Sequence, residues 1–387
     1  MPPSSSSASA KLVFIGLGWF PTSPGGNERY VYELTHQLAA SGDEVELCAV
    51  SLPSDPGETP LKLTNLCEAD SSFFKRYQAT QKNFAQRQIQ TADAINIHFP
   101  LYGLPVLPVL PPETPVTLTF HGPWALESQA EGANAISVAF KKFIEQRVYN
   151  KMTRFLVLSR AFGQVLHENF KIPWDKINVV PGGVDVERFK PTSNSEEARE
   201  KLGWPRDKFI LFTPRRIVNR MGLDKLIDAV EQLSPKYPEI WVAIAGKGYL
   251  REELEQRVKA KGLEDSIKFL GFLPDEDLPT AYEAANLTII PSQALEGFGL
   301  ILLESLSCGT PVTCTPVGGM PEVIQAFTPE LIMENTETQA IANTLEAILS
   351  GKQTLPSSDE CRQYVLDHFD WRNISQKVRE VLLRPIN

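Results

Sequence analysis

Long apolar runs are missing from this chain of 387 residues. A helix that crosses a bilayer needs about 20 such residues, and the nearest candidate, residues 101–112, is short and proline-rich and is expected to form a loop. Basic residues are in deficit: 38 Lys and Arg against 47 Asp and Glu give a net charge of −9 and a pI near 5.3. That balance excludes a general nucleic-acid binder, which needs a basic surface. Cysteine is scarce. Cys48, Cys67, Cys308, Cys314 and Cys361 are far apart with no CxxC pair, which argues against a disulfide framework or a zinc site and fits a reducing compartment. The opening MPPSSSSASA has neither charge nor an apolar segment, so residues 1–10 read as a disordered tail and not as a signal peptide.

What is present is a repeated α/β rhythm. Hydrophobic residues make up 42% and charged residues 22%, a globular balance, and the length suits two cores. KLVFIG (11–16), EVELCAVS (44–51), AINIHF (94–99), VTLTFHG (116–122), RFLVLS (154–159) and INVVPGG (177–183) read as strands, with helical patterns over 27–40, 135–151 and 159–169. A polar stretch over 190–207 reads as a linker. Beyond it FILFTP (209–214), WVAIAGKG (241–248), SIKFLGF (266–272), LTIIPS (287–292) and TPVTCTP (310–316) repeat the rhythm. Nearly continuous apolar strands alternating with helices imply parallel sheets covered on both faces. The expected architecture is two doubly wound, Rossmann-like domains, 11–190 and 205–370, facing a cleft, with a final helix within 371–387 packed back on the first. Such domains bind ligands at the carboxyl ends of their strands.

Four constellations sit at those ends. Residues 16–26, GLGWFPTSPGG, follow the first strand and precede a helix. Glycines such as Gly25 and Gly26 let backbone approach a ligand, and a helix start offers free N–H groups. PRRIVNRMG (214–222) follows the first strand of the second unit, and Arg215, Arg216 and Arg220 suit a diphosphate through paired, charge-assisted hydrogen bonds; a solvated loop is the plainer alternative. EGFGLILLE (296–304) places Glu296 in a loop, Gly297 and Gly299 at a helix start and Glu304 two turns along it. A carboxylate among residues of buried type would be costly without a partner. The fourth is His121, at the end of a strand. His98 stands at another strand end with a weaker claim, while His36, His167 and His368 fall in helical stretches.

EGFGLILLE, followed by CGTPV and TPVGGMPEV, resembles the E-x7-E signature of retaining glycosyltransferase family 4, with the GT-B fold. PGGVDVERFKP (181–191), AGKGYL (245–250), FLGFLP (269–274) and FDW (369–371) extend the likeness over most of the chain. The resemblance implies that Glu296 grips donor-sugar hydroxyls and Glu304 the ribose hydroxyls. It also implies that the N–H groups of Phe298, Gly299 and Leu300 meet the diphosphate. Gly271, Phe272 and Leu273 would line the base, Gly246 would belong to the donor site, Arg216 would bind phosphate, and His121 would sit by the reacting sugar. One position departs. Where the family usually has lysine, this chain has Met221, and Arg220 is expected to supply the missing cation.

The expected activity is therefore hexose transfer from a UDP- or GDP-linked donor, with retention and without a metal or other cofactor. Cationic groups would stabilise the departing diphosphate. The acceptor, a saccharide, lipid or small molecule, is expected to meet Glu28, Arg29 and Trp124. Between Lys141 and Arg154 the basic residues Lys142, Arg147 and Lys151 interleave with Phe143, Val148 and Tyr149. That pattern suits peripheral contact on the cytoplasmic membrane face, although a core-facing surface helix is the commoner meaning. Competing expectations are an epimerase or phosphorylase on the same fold, or a sugar-nucleotide-binding protein without catalysis. A dehydrogenase fits poorly, since the second strand ends without an acidic residue.

Overall fold

The computed structural model describes residues 8–23, 25–85 and 92–385. The chain forms two compact units, one built from the segment ending at Gly183 together with the chain from Trp371 onward, the other from Val184–Asp370. Residues 184–190, expected in the first domain, therefore belong to the second unit.

The first unit contains β1 (Lys11–Gly18), α1 (Gly26–Ala40), β2 (Glu44–Val50), β3 (Lys62–Asn65), α2 (Phe73–Ala85), β4 (Ala94–Ile97) and α3 (Pro100–Gly103). It continues with β5 (Val116–Phe120), α4 (Trp124–Ala130), α5 (Ala135–Tyr149), β6 (Arg154–Val157), α6 (Arg160–Phe170) and β7 (Ile177–Val179). The seven strands pair in the order β3-β2-β1-β4-β5-β6-β7, with parallel neighbours throughout. Buried Val13, Ile15, Ile95, Ile97, Leu118 and Phe155 show why these segments are strands: their apolar side chains fill the core. The stretch 101–112 is not the expected loop. It holds the end of α3 and a 3-10 helix, Leu104–Val109; Pro100 and Pro105 stand at the starts of these turns, where a missing N–H costs nothing, while Pro108 lies inside the 3-10 helix.

The tail expected over 1–10 lies outside the described residues for 1–7. Ser9 and Ala10 are tied down: the Ser9 hydroxyl donates to Gly42 O at 2.7 Å and the Ala10 N–H to Asp43 Oδ1 at 3.0 Å.

The second unit runs α7 (Ser195–Leu202), β8 (Phe209–Pro214), α8 (Leu223–Leu233), β9 (Ile240–Ala245), α9 (Arg251–Ala260), β10 (Ile267–Gly271) and α10 (Leu278–Ala284). It closes with β11 (Leu287–Ile290), α11 (Leu300–Ser307), β12 (Val312–Cys314), α12 (Met320–Ile324), α13 (Thr338–Leu349) and α14 (Ser358–His368). Its five strands order as β10-β9-β8-β11-β12, again parallel. The segment 190–207 is no linker. Asn194 caps α7 by accepting from Glu197 N at 2.9 Å, and Gly203 ends it in the left-handed conformation. Buried Arg199 anchors that helix through Ala284 O at 2.9 Å and Asn286 Oδ1 at 2.8 Å.

The last helix, α15 (Trp371–Leu383), belongs to the first unit. Ile374, Val378, Val381 and Leu382 recur on one helical face and are buried. Trp371 donates its indole N–H to the Glu33 carboxylate and packs against Gly183. Arg379 holds Asp43 through bonds of 2.7 and 2.8 Å. Residues 386–387 of the expected final segment lie outside the described chain.

Candidate active site

In each sheet the strand order reverses direction once, between β1 and β4 and between β8 and β11. Connections after such a pair of strands depart to opposite faces and leave a crevice at the carboxyl ends. In the second unit that crevice gathers Arg215 and Arg216 after β8, and Ser292 to Gly299 after β11.

Glycine shapes this floor. A Cβ on Gly246 (φ +147°) would lie 1.9 Å from Arg215 O, and one on Gly318 (φ +58°) 1.8 Å from Glu296 O. The backbone strands of the site thus run in contact, at positions and torsions that only glycine fits. Gly319 N donates to Glu296 O at 3.0 Å, which fixes the glutamate's main chain. Its neighbour Leu295 is held at φ +56°, a conformation that costs a leucine of order 1–3 kcal/mol and persists only where the surroundings impose it.

Side-chain chemistry converges on Glu296. Buried Arg215 donates through Nη2 to the Glu296 carboxylate, to the Ser292 hydroxyl, and to Met221 Sδ at 2.8 Å. Ser292 Oγ donates to Glu296 Oε1 at 3.3 Å. Arg220 Nη1 lies 3.6 Å from Glu296 Oε1 and donates to Leu295 O at 3.1 Å. The group at the sulfur of Met221 is therefore Arg215, whereas Arg220 was expected to make good the missing lysine. Arg216 points its side chain to an exposed position.

Gly299 (φ +85°) starts α11, and Phe298 before it is buried. Glu304 is buried along α11, where Tyr282 donates its hydroxyl to Oε2 at 2.8 Å. Phe272, beside Gly271 and half-buried Leu273, exposes 51% of its surface with Lys247 Nζ 4.8 Å from the ring centroid. Lys247 had drawn no attention in the sequence, since one lysine in a glycine-rich loop is an ordinary solvated residue.

The first unit carries a second cluster at the carboxyl ends of two neighbouring strands. His98 follows β4 and His121 follows β5, and His98 Nδ1 meets His121 Nε2 at 2.9 Å. Burial pushes His121 down to about 3 and holds His98 well below the ordinary imidazole value, with the neighbouring ring adding to the effect on His98. Both rings are neutral at neutral pH. His98, His121, Asn27, Trp124 and Glu127 line one cavity. Asn27 and Glu127 were not singled out from sequence, because only the fold brings them to the histidines.

The glycine loop places Gly25 under the Glu28 carboxylate, since a Cβ there would lie 2.2 Å from Glu28 Oε2. Desolvation raises the Glu28 carboxyl above its usual range, partly offset by a backbone hydrogen bond. Gly26 opens α1, and a Cβ there would meet nothing. Arg29, an expected acceptor contact, is buried, with its guanidinium 5.0 Å from the centroid of the Phe20 ring. Of the histidines in helices, His36 bonds to Tyr32 O at 2.8 Å and His167 to Ile172 O at 2.9 Å. Among the described residues no cluster of three or more His, Cys, Asp or Glu could hold a metal ion.

Comparison with known proteins agrees with this layout. The family described as "Glycosyltransferase Family 4" matches residues 24–188, and "Glycosyl transferases group 1" matches 194–368. A D-inositol 3-phosphate glycosyltransferase of Arthrobacter sp. is 27% identical over 90% of this chain and 87% of its own length. A GDP-mannose-dependent alpha-(1-6)-phosphatidylinositol monomannoside mannosyltransferase of Mycolicibacterium smegmatis is 28% identical over 52% of this chain. The chain spans 59% of a related Corynebacterium urealyticum protein and 55% of the mannosyltransferase, little over half of each. Sucrose-phosphate synthase from Thermosynechococcus elongatus superposes with a TM-score of 0.79 at 22% identity, covering 96% of this chain and 98% of that one. Anabaena HepE, solved with UDP and glucose, superposes with a TM-score of 0.76 at 20% identity, covering 96% and 99%. The fold is that of the GT-B glycosyltransferases. With one family model on each unit, together reaching from residue 24 to residue 368, the chain belongs to glycosyltransferase family 4.

Proposed function

We propose that this protein transfers a hexose from a nucleoside diphosphate sugar to an acceptor, with retention of anomeric configuration and without a metal ion. The observation that carries the reading is the buried Arg215–Glu296 pair at the strand reversal of the second unit, flanked by Arg216, Arg220 and the start of α11. Guanidinium groups and the free N–H groups of Phe298, Gly299 and Leu300 would take the diphosphate. Glu296 would accept hydrogen bonds from sugar hydroxyls and Glu304 from the ribose. Exposed Phe272, with Gly271 and Leu273, offers an apolar face for the base.

As the sugar–phosphate bond breaks, charge grows on the distal phosphate. Cations already aimed at that spot stabilise the departing group more than the bound donor. On this reading a divalent ion has no step to perform. The first-unit cavity beside His121, near Glu28 and Trp124, would hold the acceptor, and retention requires that the acceptor attack from the face the diphosphate leaves. Names of relatives support both donor classes, one being GDP-mannose-dependent and a structural neighbour holding UDP and glucose.

Incubation with UDP- and GDP-hexoses tests the reading by release of the matching nucleoside diphosphate, dependent on acceptor and lost in Glu296→Ala. Isomerised donor would favour an epimerase, and phosphate-dependent turnover a phosphorylase. Binding with no turnover would favour a sugar-nucleotide-binding protein.

A second observation supports a peripheral membrane contact on the cytoplasmic face. Ile136, Phe140 and Phe143 lie one to two turns apart on α5, and all are exposed, as is Phe74 on α2. The opposite face of α5 buries Ile144, Val148 and Tyr149 in the core. Lys142 and Arg147 on α5 and Lys75 next to Phe74 on α2 are exposed too, and exposed apolar and basic side chains together suit a helix resting in an anionic headgroup region. A lipid-borne acceptor would then come to the enzyme from that surface. Co-sedimentation with phosphatidylglycerol vesicles, lost on using phosphatidylcholine and in Phe140→Asp/Phe143→Asp, is the expected result. Equal recovery in the supernatant with either lipid would remove this part of the proposal.

A further inference from the structure

We propose that His98 is a positioning residue: it donates its Nδ1–H to His121 Nε2, so that His121 carries its own proton on Nδ1 and offers it to an oxygen of the bound substrate. The inference rests on the reading of the first-unit cavity as part of a glycosyl-transfer site.

The two imidazoles share a single contact, Nδ1 of His98 to Nε2 of His121, at 2.9 Å, and a neutral ring has one donor and one acceptor nitrogen. Burial keeps both rings neutral through the physiological range. Two arrangements are then available. If His121 donated, His98 would accept at Nδ1 and carry its proton on Nε2, and that atom is buried with no hydrogen-bond partner. An orphaned buried N–H is the rarer and costlier outcome. If His98 donates, its Nε2 bears only a lone pair, which a setting of aromatic rings tolerates better. Phe14 stacks on His98 at 5.7 Å and Tyr30 meets His121 edge-on at 5.3 Å, which holds both rings in this orientation.

The consequence is chemical. With Nε2 occupied by His98 and Nδ1 protonated, His121 has no lone pair for a substrate proton and cannot act as a general base. It can donate to a hydroxyl or carbonyl oxygen of a ligand in the cavity that both histidines line. His98 itself need not touch the ligand. Its role is to choose which of the two His121 tautomers the site presents, as the partners of metal-bound histidines do.

The test is 15N-detected NMR of imidazole nitrogens in the full-length, ligand-free protein labelled at histidine. The expected spectrum shows His121 Nδ1 as a protonated, pyrrole-type nitrogen and Nε2 as unprotonated. A spectrum with Nε2 protonated overturns the proposal, whatever the protein's activity. Two variants separate positioning from packing. His98→Asn keeps an amide N–H in the place of Nδ1–H and should keep the His121 tautomer and turnover. His98→Leu fills the space without a donor and should mix the tautomers and lower kcat by roughly ten- to hundredfold, with KM for the donor little changed. Equal kcat in both variants would show that His98 only packs. Absence of any sugar transfer, with the expected tautomer still present, would count against the glycosyltransferase reading and leave the His98–His121 assignment standing.

Discussion

Arg215 and Glu296 form a buried ion pair in the second unit, with side chains 4% and 11% exposed. Each is a group that the proposed donor would use, one for phosphate and one for sugar hydroxyls. Without a donor they neutralise each other, so neither charge is left buried and unpaired. Donor binding would exchange that pair for two new sets of hydrogen bonds, and the substrate repays what the pair gives up.

Breaking the pair on one side should therefore be costly. Glu296→Gln alone is expected to destabilise the protein by about 3 kcal/mol, since it leaves the buried Arg215 guanidinium without its carboxylate, whereas Arg215→Met should cost less, because Arg220 still lies 3.6 Å from Glu296. The double variant should lose clearly less than the sum, because the coupling disappears with both partners. Urea unfolding of the four proteins measures this. Strict additivity would mean that the contact has no energetic meaning.

Gly318→Ala should damage the site through backbone alone. Its Cβ would lie 1.8 Å from Glu296 O at a φ of +58°, so the glutamate loop has to move. A cost on the order of 1–3 kcal/mol and loss of donor-induced thermal stabilisation are expected. Unchanged donor binding would show that this loop is not the donor's.

Much of this fold was legible in the sequence because central parallel strands are nearly continuous apolar runs. The misses share a physical origin. Strand β3, with sequence KLTN, is an edge strand of exposed or half-buried residues, so no apolar pattern marks it. Helix α7 is charged nearly throughout, and its capping residues Asn194 and Gly203 were outweighed by a composition that resembles a linker. In the site, motif spacing brought out Glu296, Glu304 and the arginines. It could not show which arginine reaches Met221, because that depends on how the loops after β8 and β11 meet. The His98–His121 contact joins the ends of two strands and is equally invisible along the chain.

The C-terminal helix should be indispensable to the first unit. A Cβ on Gly183 would lie 2.5 Å from the Trp371 ring, a sign of close packing, and Trp371 is 1% exposed. Trp371→Ala is expected to cost about 3–5 kcal/mol, and Gly183→Ala to destabilise by clash. Chemical denaturation reads both. A chain ending at residue 370 that retains full stability would contradict this packing.

Glu145 should impose a pH dependence. It is fully buried on α5 and accepts from Ala125 N at 3.3 Å, and burial raises its carboxyl to about 7. A raised folded-state value means that the protonated form is favoured on folding. The contribution is complete below the ordinary value of 4.5 and is lost as pH rises toward 7. Glu145→Gln should therefore be stabilising at pH 8, by up to about 3 kcal/mol, and nearly neutral at pH 4.5. Melting curves at the two pH values check the sign, and a constant difference would refute it.

The most direct measurement is calorimetric titration of UDP-glucose and GDP-mannose into the wild-type protein, Arg216→Ala and Glu304→Ala. Arg216 is exposed, so its loss should leave the fold intact. The prediction is that the wild type binds at least one of the two, that Arg216→Ala weakens binding of the whole nucleotide and of pyrophosphate alone, and that Glu304→Ala weakens only the nucleotide. Binding of neither donor, or binding that ignores both substitutions, would contradict the assignment of the donor to this crevice.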